Sequence, residues 1–300
     1  MKKVSINDSS MEVIDVGEEH VRRERALITG ITGMVGSHLA DYLLENTDWK
    51  IYGFCRWNDS LENIEHLSNE INKKDRIELI YGDLNDLASL INTIDKSKPD
   101  YVFHLAAQSY PQTSFDAPFE TLDTNIIGTA KLLESIRKSV YNPIIHVCAS
   151  SEVFGRVPKE FLPIDEECKF HPASPYAISK VGTDLIGRYY AEAYNMTIMT
   201  TRMFTHNPIG GEYYNIGGTF SCSIKDMLHY LLSKSTVQDI KVVTDQARLR
   251  PIDADLQVPN TEKFQNHTGW QPQISFEETM NDLLQYWRDR VNSGRKFLRR

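Results

Sequence analysis

Cysteine is scarce in this 300-residue chain: Cys55, Cys148, Cys168 and Cys222 are scattered, with no Cys-x-x-Cys pair among them. That pattern excludes a zinc ribbon and a disulfide framework and suits a reducing compartment, so a cytoplasmic protein without a metal centre is expected. The nine histidines show no metal-ligand spacing either. No apolar run is long enough to cross a membrane, and residues 1–24 lack the apolar stretch of a signal peptide. They read as a disordered N-terminal extension, in which residues 11–16 form at best an edge strand. The net charge is −8 with no basic run, which argues against a nucleic-acid partner. There is no internal repeat and no low-complexity linker, so any domains must be interleaved.

What the chain does contain is enough apolar material, 41%, to fill one large core and a small appended one. Strand and helix patterns alternate along it. Candidate strands cover 26–29, 50–54, 76–81, 101–105, 144–148 and 197–201, and candidate helices follow Gly36 and cover 87–94, 121–138 and 176–193. This alternation predicts an α/β protein, a doubly wound parallel-sheet Rossmann fold with a small C-terminal substrate domain. Residues 25–206 would form the dinucleotide-binding domain and 207–300 the smaller one. Ligands of such sheets bind beyond the carboxyl ends of the strands. The glycines after the first strand, Arg56, Asp83, Ala106, Ser150 to Glu152, and Thr205-His206 all follow strands.

The first strand runs into Gly30, Gly33 and Gly36, and the helix beyond carries Leu39, Leu43 and Leu44 on one face. Glycines in a strand-to-helix turn let the backbone approach a pyrophosphate, whose charge the helix N-terminus stabilises. The spacing is Gly-x-x-Gly-x-x-Gly, not the commoner Gly-x-Gly-x-x-Gly. Twenty residues past Gly36 the second strand ends at Arg56, where an acidic residue would grip a ribose hydroxyl and an arginine suits a 2′-phosphate. The expected cofactor is therefore NADP in preference to NAD.

Tyr176 and Lys180 stand one helical turn apart, in a segment that Ser174 is placed to cap and Pro175 to open. At an ordinary pKa near 10 only about one tyrosine in a thousand is ionised at pH 7, so a catalytic phenol needs a lowered pKa. Lys180 is expected to lower it electrostatically. An isolated pair of this kind is usually an exposed face of an amphipathic helix; its company with the glycine turn and the Ser150-Ser151-Glu152 cluster favours chemistry.

Together these motifs resemble the extended short-chain dehydrogenase/reductases, most closely the GDP-mannose 4,6-dehydratases. The resemblance rests on residues 29–36, His104 to Ser109, Asn125 to Thr129, Ser150 to Gly155, the Tyr/Lys pair, Arg202 to His206, Tyr214 to Gly218 and Arg250 to Asp253. It implies a lyase that converts GDP-mannose to GDP-4-keto-6-deoxymannose by internal hydride transfer through bound NADP. Ser150, Glu152, Tyr176 and Lys180 would be catalytic. Gly30, Thr32, Gly33, Met34, Val35, Gly36, Arg56, Asp83, Leu84, Leu105, Ala106, Ala107, Tyr176, Lys180 and His206 would hold the cofactor. Gln108, Ser109, Thr205, Arg250 and Asp253 would meet the nucleotide sugar. It also implies a homodimer or tetramer built through a four-helix bundle of the 121–138 and 176–193 helices, with Ile127, Leu132, Ile186 and Tyr190 supplying apolar surface.

The resemblance breaks in one place. After His206 only residues 207–213 precede Tyr214, where the family carries a longer segment with basic nucleotide-binding positions. The domain after residue 207 is therefore expected to be shortened. Two alternatives follow: a related sugar-nucleotide reductase, epimerase or heptose dehydratase, and a truncated NADP-binding protein without turnover.

Overall fold

The computed structural model describes residues 22–202, 212–218, 220–237, 239–245 and 257–293. Seven strands form one parallel sheet: β1 (Arg25–Thr29), β2 (Lys50–Cys55), β3 (Ile77–Tyr81), β4 (Tyr101–His104), β5 (Ile144–Cys148), β6 (Ile198–Arg202) and β7 (Tyr213–Asn215). Their order is β3-β2-β1-β4-β5-β6-β7. The chain thus builds outward from β1 to β3, then crosses to the other side of β1 and builds outward again. The reversal leaves a crevice at the carboxyl ends of β1 and β4, the expected ligand position in a doubly wound sheet.

Helices cover both faces, which is why the strands are apolar runs and do not alternate with polar residues. Leu27 points to one face, where it packs with Leu90, Val102, Leu132, Leu133 and Ile145; its neighbour Ile28 points to the other and meets Ala26, Leu39, Leu43 and Ile51. Burial of each such aliphatic side chain stabilises the fold by roughly 1.5–3 kcal/mol. The first face is covered by α3 (Leu87–Ser97), α6 (Gly128–Lys138) and α7 (Pro175–Tyr194), the second by α1 (Met34–Asn46). The remaining helices are α2 (Ser68–Lys73), α4 (Pro111–Asp116), α5 (Pro118–Leu122), α8 (Ile224–Ser233), α9 (Glu262–Thr268) and α10 (Phe276–Asn292).

The expected strands are present, with ends moved by a residue. The 121–138 helix is not continuous: a π turn over Asp123–Ile127 separates α5 from α6. Of the four residues expected to face outward on these helices, Leu132 is fully buried and Ile186 and Tyr190 pack against the core. The outward apolar residues are Ile127, Ile178, Leu185 and Tyr189. Beyond the boundary expected at His206, β7 completes the main sheet, and its Tyr214 packs with Met199, Ile216 and Phe264. The candidate edge strand at 11–16 lies outside the described residues.

Candidate active site

The turn after β1 is shaped by its glycines. Gly30 has φ +76°, and a Cβ there would lie 2.8 Å from the Ala106 nitrogen, because the ends of β1 and β4 touch. A Cβ on Gly36 would lie 2.3 Å from the Gly30 oxygen. Gly33 caps α1 without a side-chain hydrogen bond, so the first-turn N–H groups meet no capping side chain. Thr32, Met34 and Val35 lie on the same turn. The arrangement fits a pyrophosphate: close backbone, open N–H groups and the positive end of a 13-residue helix.

Around this turn stand the other predicted cofactor residues. Arg56 follows β2 and is exposed. Asp83 follows β3, where its carboxylate accepts the Asn85 amide and shapes the turn, and Leu84 is buried beneath Gly128. Leu105, Ala106 and Ala107 follow β4 and are half-buried.

A buried polar chain ties this end of the sheet to α7. Thr29 Oγ1 accepts the Leu105 and Ala106 amides, both at 3.2 Å, and meets His104 Nδ1 at 2.9 Å. On its other side His104 Nε2 meets Thr129 Oγ1 at 2.9 Å, and Thr129 donates to the Asn125 carbonyl at 2.6 Å. Since the Thr129 proton is committed to Asn125, Thr129 must accept from His104. The network therefore assigns His104 the neutral Nε2–H tautomer, with Thr29 donating to Nδ1. Burial, helped by the Lys180 charge, pushes the His104 pKa down to about 3, consistent with that state. Asn125, set in the π turn, continues the chain: its side chain accepts the Gln108 amide, donates to the Gln108 carbonyl, and donates to Ser179 Oγ, which donates to the Tyr176 carbonyl.

Ser150, Tyr176 and Lys180 come together at the end of β5. Ser174 caps α7 as predicted, accepting the Ala177 amide at 3.0 Å, with Pro175 in the first turn. The Ser150 hydroxyl accepts the Glu152 amide and lies close enough to the Tyr176 phenol to favour its ionised form. All three side chains are buried, and Glu152 is half-buried within electrostatic range of the phenol. The expected lowering of the Tyr176 pKa is not what this geometry gives. Burial pushes the phenol up to about 12; the Ser150 hydroxyl opposes the rise, while Cys148 and Glu152 add to it. Lys180 lies 6.0 Å from the ring centre and donates to the Cys148 carbonyl at 2.8 Å, and its own pKa is lowered by burial. An ammonium so placed does not overcome desolvation of the phenol.

Gln108 is half-buried, and its amide is spent locally, on the Tyr110 backbone and on Thr121 Oγ1. Ser109 is exposed on the same loop. Thr205, His206, Arg250 and Asp253 lie outside the described residues.

Three contributors were given no role at the site by the sequence. Gln257 exchanges two hydrogen bonds with Ser151, both 3.1 Å, mooring the Ser150 turn to the C-terminal segment. Asp184 and Arg202 form a buried two-point ion pair, at 2.9 and 3.3 Å, that joins α7 to β6. Arg202 also donates to the Glu166 carbonyl and lies against the rings of Phe154, Phe170 and Tyr213.

A sequence profile described as GDP-mannose 4,6 dehydratase matches residues 27–212, more than half of the chain. A protein of that name from Drosophila melanogaster is 36% identical over 208 residues, covering 67% of this chain and 52% of its own length. Its human counterpart is 35% identical over 196 residues, 63% of this chain and 52% of its own. The chain thus spans about half the length of the curated relatives it matches. Among solved structures, a dTDP-glucose 4,6-dehydratase from Streptomyces venezuelae with NAD bound superposes with a TM-score of 0.77 at 20% identity, covering 90% of this chain and 98% of that one. The protein RMD of Pseudomonas aeruginosa, complexed with NADPH, gives 0.69 at 21% identity over 89% and 100%. These likenesses establish the fold.

Proposed function

Given that the chain belongs to the GDP-mannose 4,6-dehydratase family, we propose that it is a nicotinamide-dependent hydro-lyase removing water from GDP-mannose to give GDP-4-keto-6-deoxymannose. The observation that carries this reading is the burial of Ser150, Tyr176 and Lys180 together at the carboxyl end of β5, with Glu152 beside them, next to a glycine turn fit for a dinucleotide. Arg56 at the end of β2 supports NADP over NAD.

When bound, the dinucleotide would supply a hydride acceptor and donor. Ser150 would orient the sugar C4 oxygen through its hydroxyl, and Tyr176 would take the C4 hydroxyl proton as the hydride departs. The C4 ketone acidifies the proton at C5. Glu152 would remove it and pass it to the departing C6 hydroxyl, which leaves as water. With the hydride returned to C6, Tyr176 would give its proton to C5, so no external reductant is consumed. Acid–base groups of this kind supply about 10²- to 10⁴-fold each. Lys180 would hold the cofactor ribose and orient the nicotinamide. The outward residues Ile127, at the end of the π turn, and Ile178, Leu185 and Tyr189 on α7 support a homodimer through these two segments.

One observation favours a second reading, a dinucleotide-binding protein without turnover. Only residues 203–212 join the end of β6 to the start of the parallel strand β7, shorter than the dozen or more that such a crossover usually takes. Incubation with GDP-mannose and NADP, followed by mass spectrometry of the sugar nucleotide, separates the two. Loss of one water without NADPH accumulation is the expected result. Unchanged GDP-mannose alongside bound NADP would select the second reading.

A further inference from the structure

The turn after β2 carries a charge pair that bears on which dinucleotide is held. Arg56 to Asp59 is a β-turn closed by the Asp59 amide on the Arg56 carbonyl at 3.2 Å. The Asp59 carboxylate folds back over it. One oxygen accepts the Arg56 backbone N–H at 3.0 Å, and the other accepts Nε at 3.0 Å and Nη2 at 2.9 Å. The arginine side chain is 59% exposed and the carboxylate 21%, so the guanidinium offers an outer edge to solvent while a carboxylate occupies its inner edge. The same loop is moored to the glycine turn, since Asn63 Nδ2 donates to the Thr32 carbonyl at 2.8 Å. Between them Trp57, 80% exposed, sets its indole edge-on to Tyr81 with ring centres 4.9 Å apart.

We propose that Asp59 is a specificity-determining residue that limits the preference of this chain for NADP over NAD. The inference rests on the dinucleotide reading above and refines it. A 2′-phosphate approaching Arg56 meets a pair whose net charge is zero: attraction to the guanidinium is offset by repulsion from a carboxylate one hydrogen bond away. An unphosphorylated ribose meets no such repulsion, and its hydroxyl can donate to the carboxylate. Asp59 also holds the guanidinium in one pose, so the pair combines orientation with restraint. Because the turn is largely exposed, the effect is that of a screened charge, about tenfold in affinity and weaker at high salt.

Titration calorimetry with NADP and with NAD, on the wild-type chain and on Asp59→Asn, tests this, with Trp57 fluorescence as a second readout. Asparagine keeps an oxygen to accept the Arg56 amide, while its NH2 replaces the oxygen that holds Nε and Nη2, so both the charge and the restraint on the guanidinium are removed. The expected result is a Kd for NADP lowered about tenfold, with NAD changed by less than about twofold. A weakened NADP, or an equal shift of both dinucleotides, would overturn the proposal. Arg56→Ala provides the complement: NADP should be lost selectively and NAD retained, and equal loss of both counts against the assignment. Binding of neither dinucleotide to the wild-type chain would overturn the dinucleotide reading and this inference with it, an outcome distinct from two bound cofactors and a silent Asp59→Asn.

Discussion

Lys180 and Tyr176 share a face of α7, yet the ammonium points past the phenol: it lies 6.0 Å from the ring centre and is engaged with the Cys148 carbonyl at 2.8 Å. The group that favours ionisation of the phenol is the Ser150 hydroxyl. This division of labour shapes the predictions for the site.

Tyr176→Phe should lower turnover by about 10²-fold or more while leaving dinucleotide affinity within about twofold. The check is a time course of GDP-mannose dehydration set beside calorimetry of cofactor binding. Loss of both together would show that the hydroxyl is needed for the fold of the pocket and not for its chemistry.

Ser150 supplies the leading influence that holds the phenol pKa down against burial. Ser150→Ala should therefore move the limb of the pH–rate profile assigned to the phenol toward higher pH, besides reducing the rate. An unshifted limb would place the rate-controlling ionisation elsewhere.

Acid sensitivity should trace to His104. Its folded pKa, about 3, lies below the ordinary value of 6.5, so between these pH values the unfolded chain binds a proton that the folded one refuses. The stability contributed by neutral His104 is complete above about pH 6.5 and is lost progressively as pH falls toward 3, a term on the order of a few kcal/mol. Melting curves between pH 7 and pH 4 should show a steeper decline for the wild-type chain than for His104→Gln, whose starting stability is lower.

Removing Asp184 from its pair with Arg202 leaves a buried guanidinium without that counterion. Asp184→Ala should cost about 3–5 kcal/mol of unfolding free energy, far more than the roughly 0–1 kcal/mol for breaking the exposed Arg22–Asp100 pair. Denaturant titration measures both. The joint change Asp184→Leu with Arg202→Met should recover part of the loss.

Gly36→Ala should abolish dinucleotide binding or the folded turn, because a Cβ would sit 2.3 Å from the Gly30 oxygen. Gly33→Ala meets only that oxygen, at 3.3 Å, so any loss of binding it causes would report the ligand's own approach.

The parallel sheet could be read from the chain because its signals are local: apolar runs, glycine at the first turn, Ser174-Pro175 at the start of α7. Where the reading went astray, long-range geometry decided. The pattern of 121–138 is helical throughout, but Asn125 is drawn into contact with the Gln108 backbone and Ser179, and the helix takes a π turn there. Spacing placed Lys180 beside Tyr176 and could not show that the Cys148 carbonyl would compete for its proton. Gln257 lies 106 residues from Ser151, and no periodicity relates them. The outward residues of α7 were misassigned because Ile186 and Tyr190 differ from Leu185 and Tyr189 by one position, a 100° rotation on the helix.

The chain of buried donors from Thr29 through His104 and Thr129 to Asn125 has a direction, each proton being committed to the next acceptor. A valine at Thr129 would leave the His104 Nε2–H without an acceptor, and an apolar residue at His104 would leave the Thr29 hydroxyl proton without one. No link can drift to an apolar residue alone without leaving an orphaned partner in the core. These positions are therefore free to vary only in concert, and a lineage that abandons one should be found to have replaced its neighbours as well.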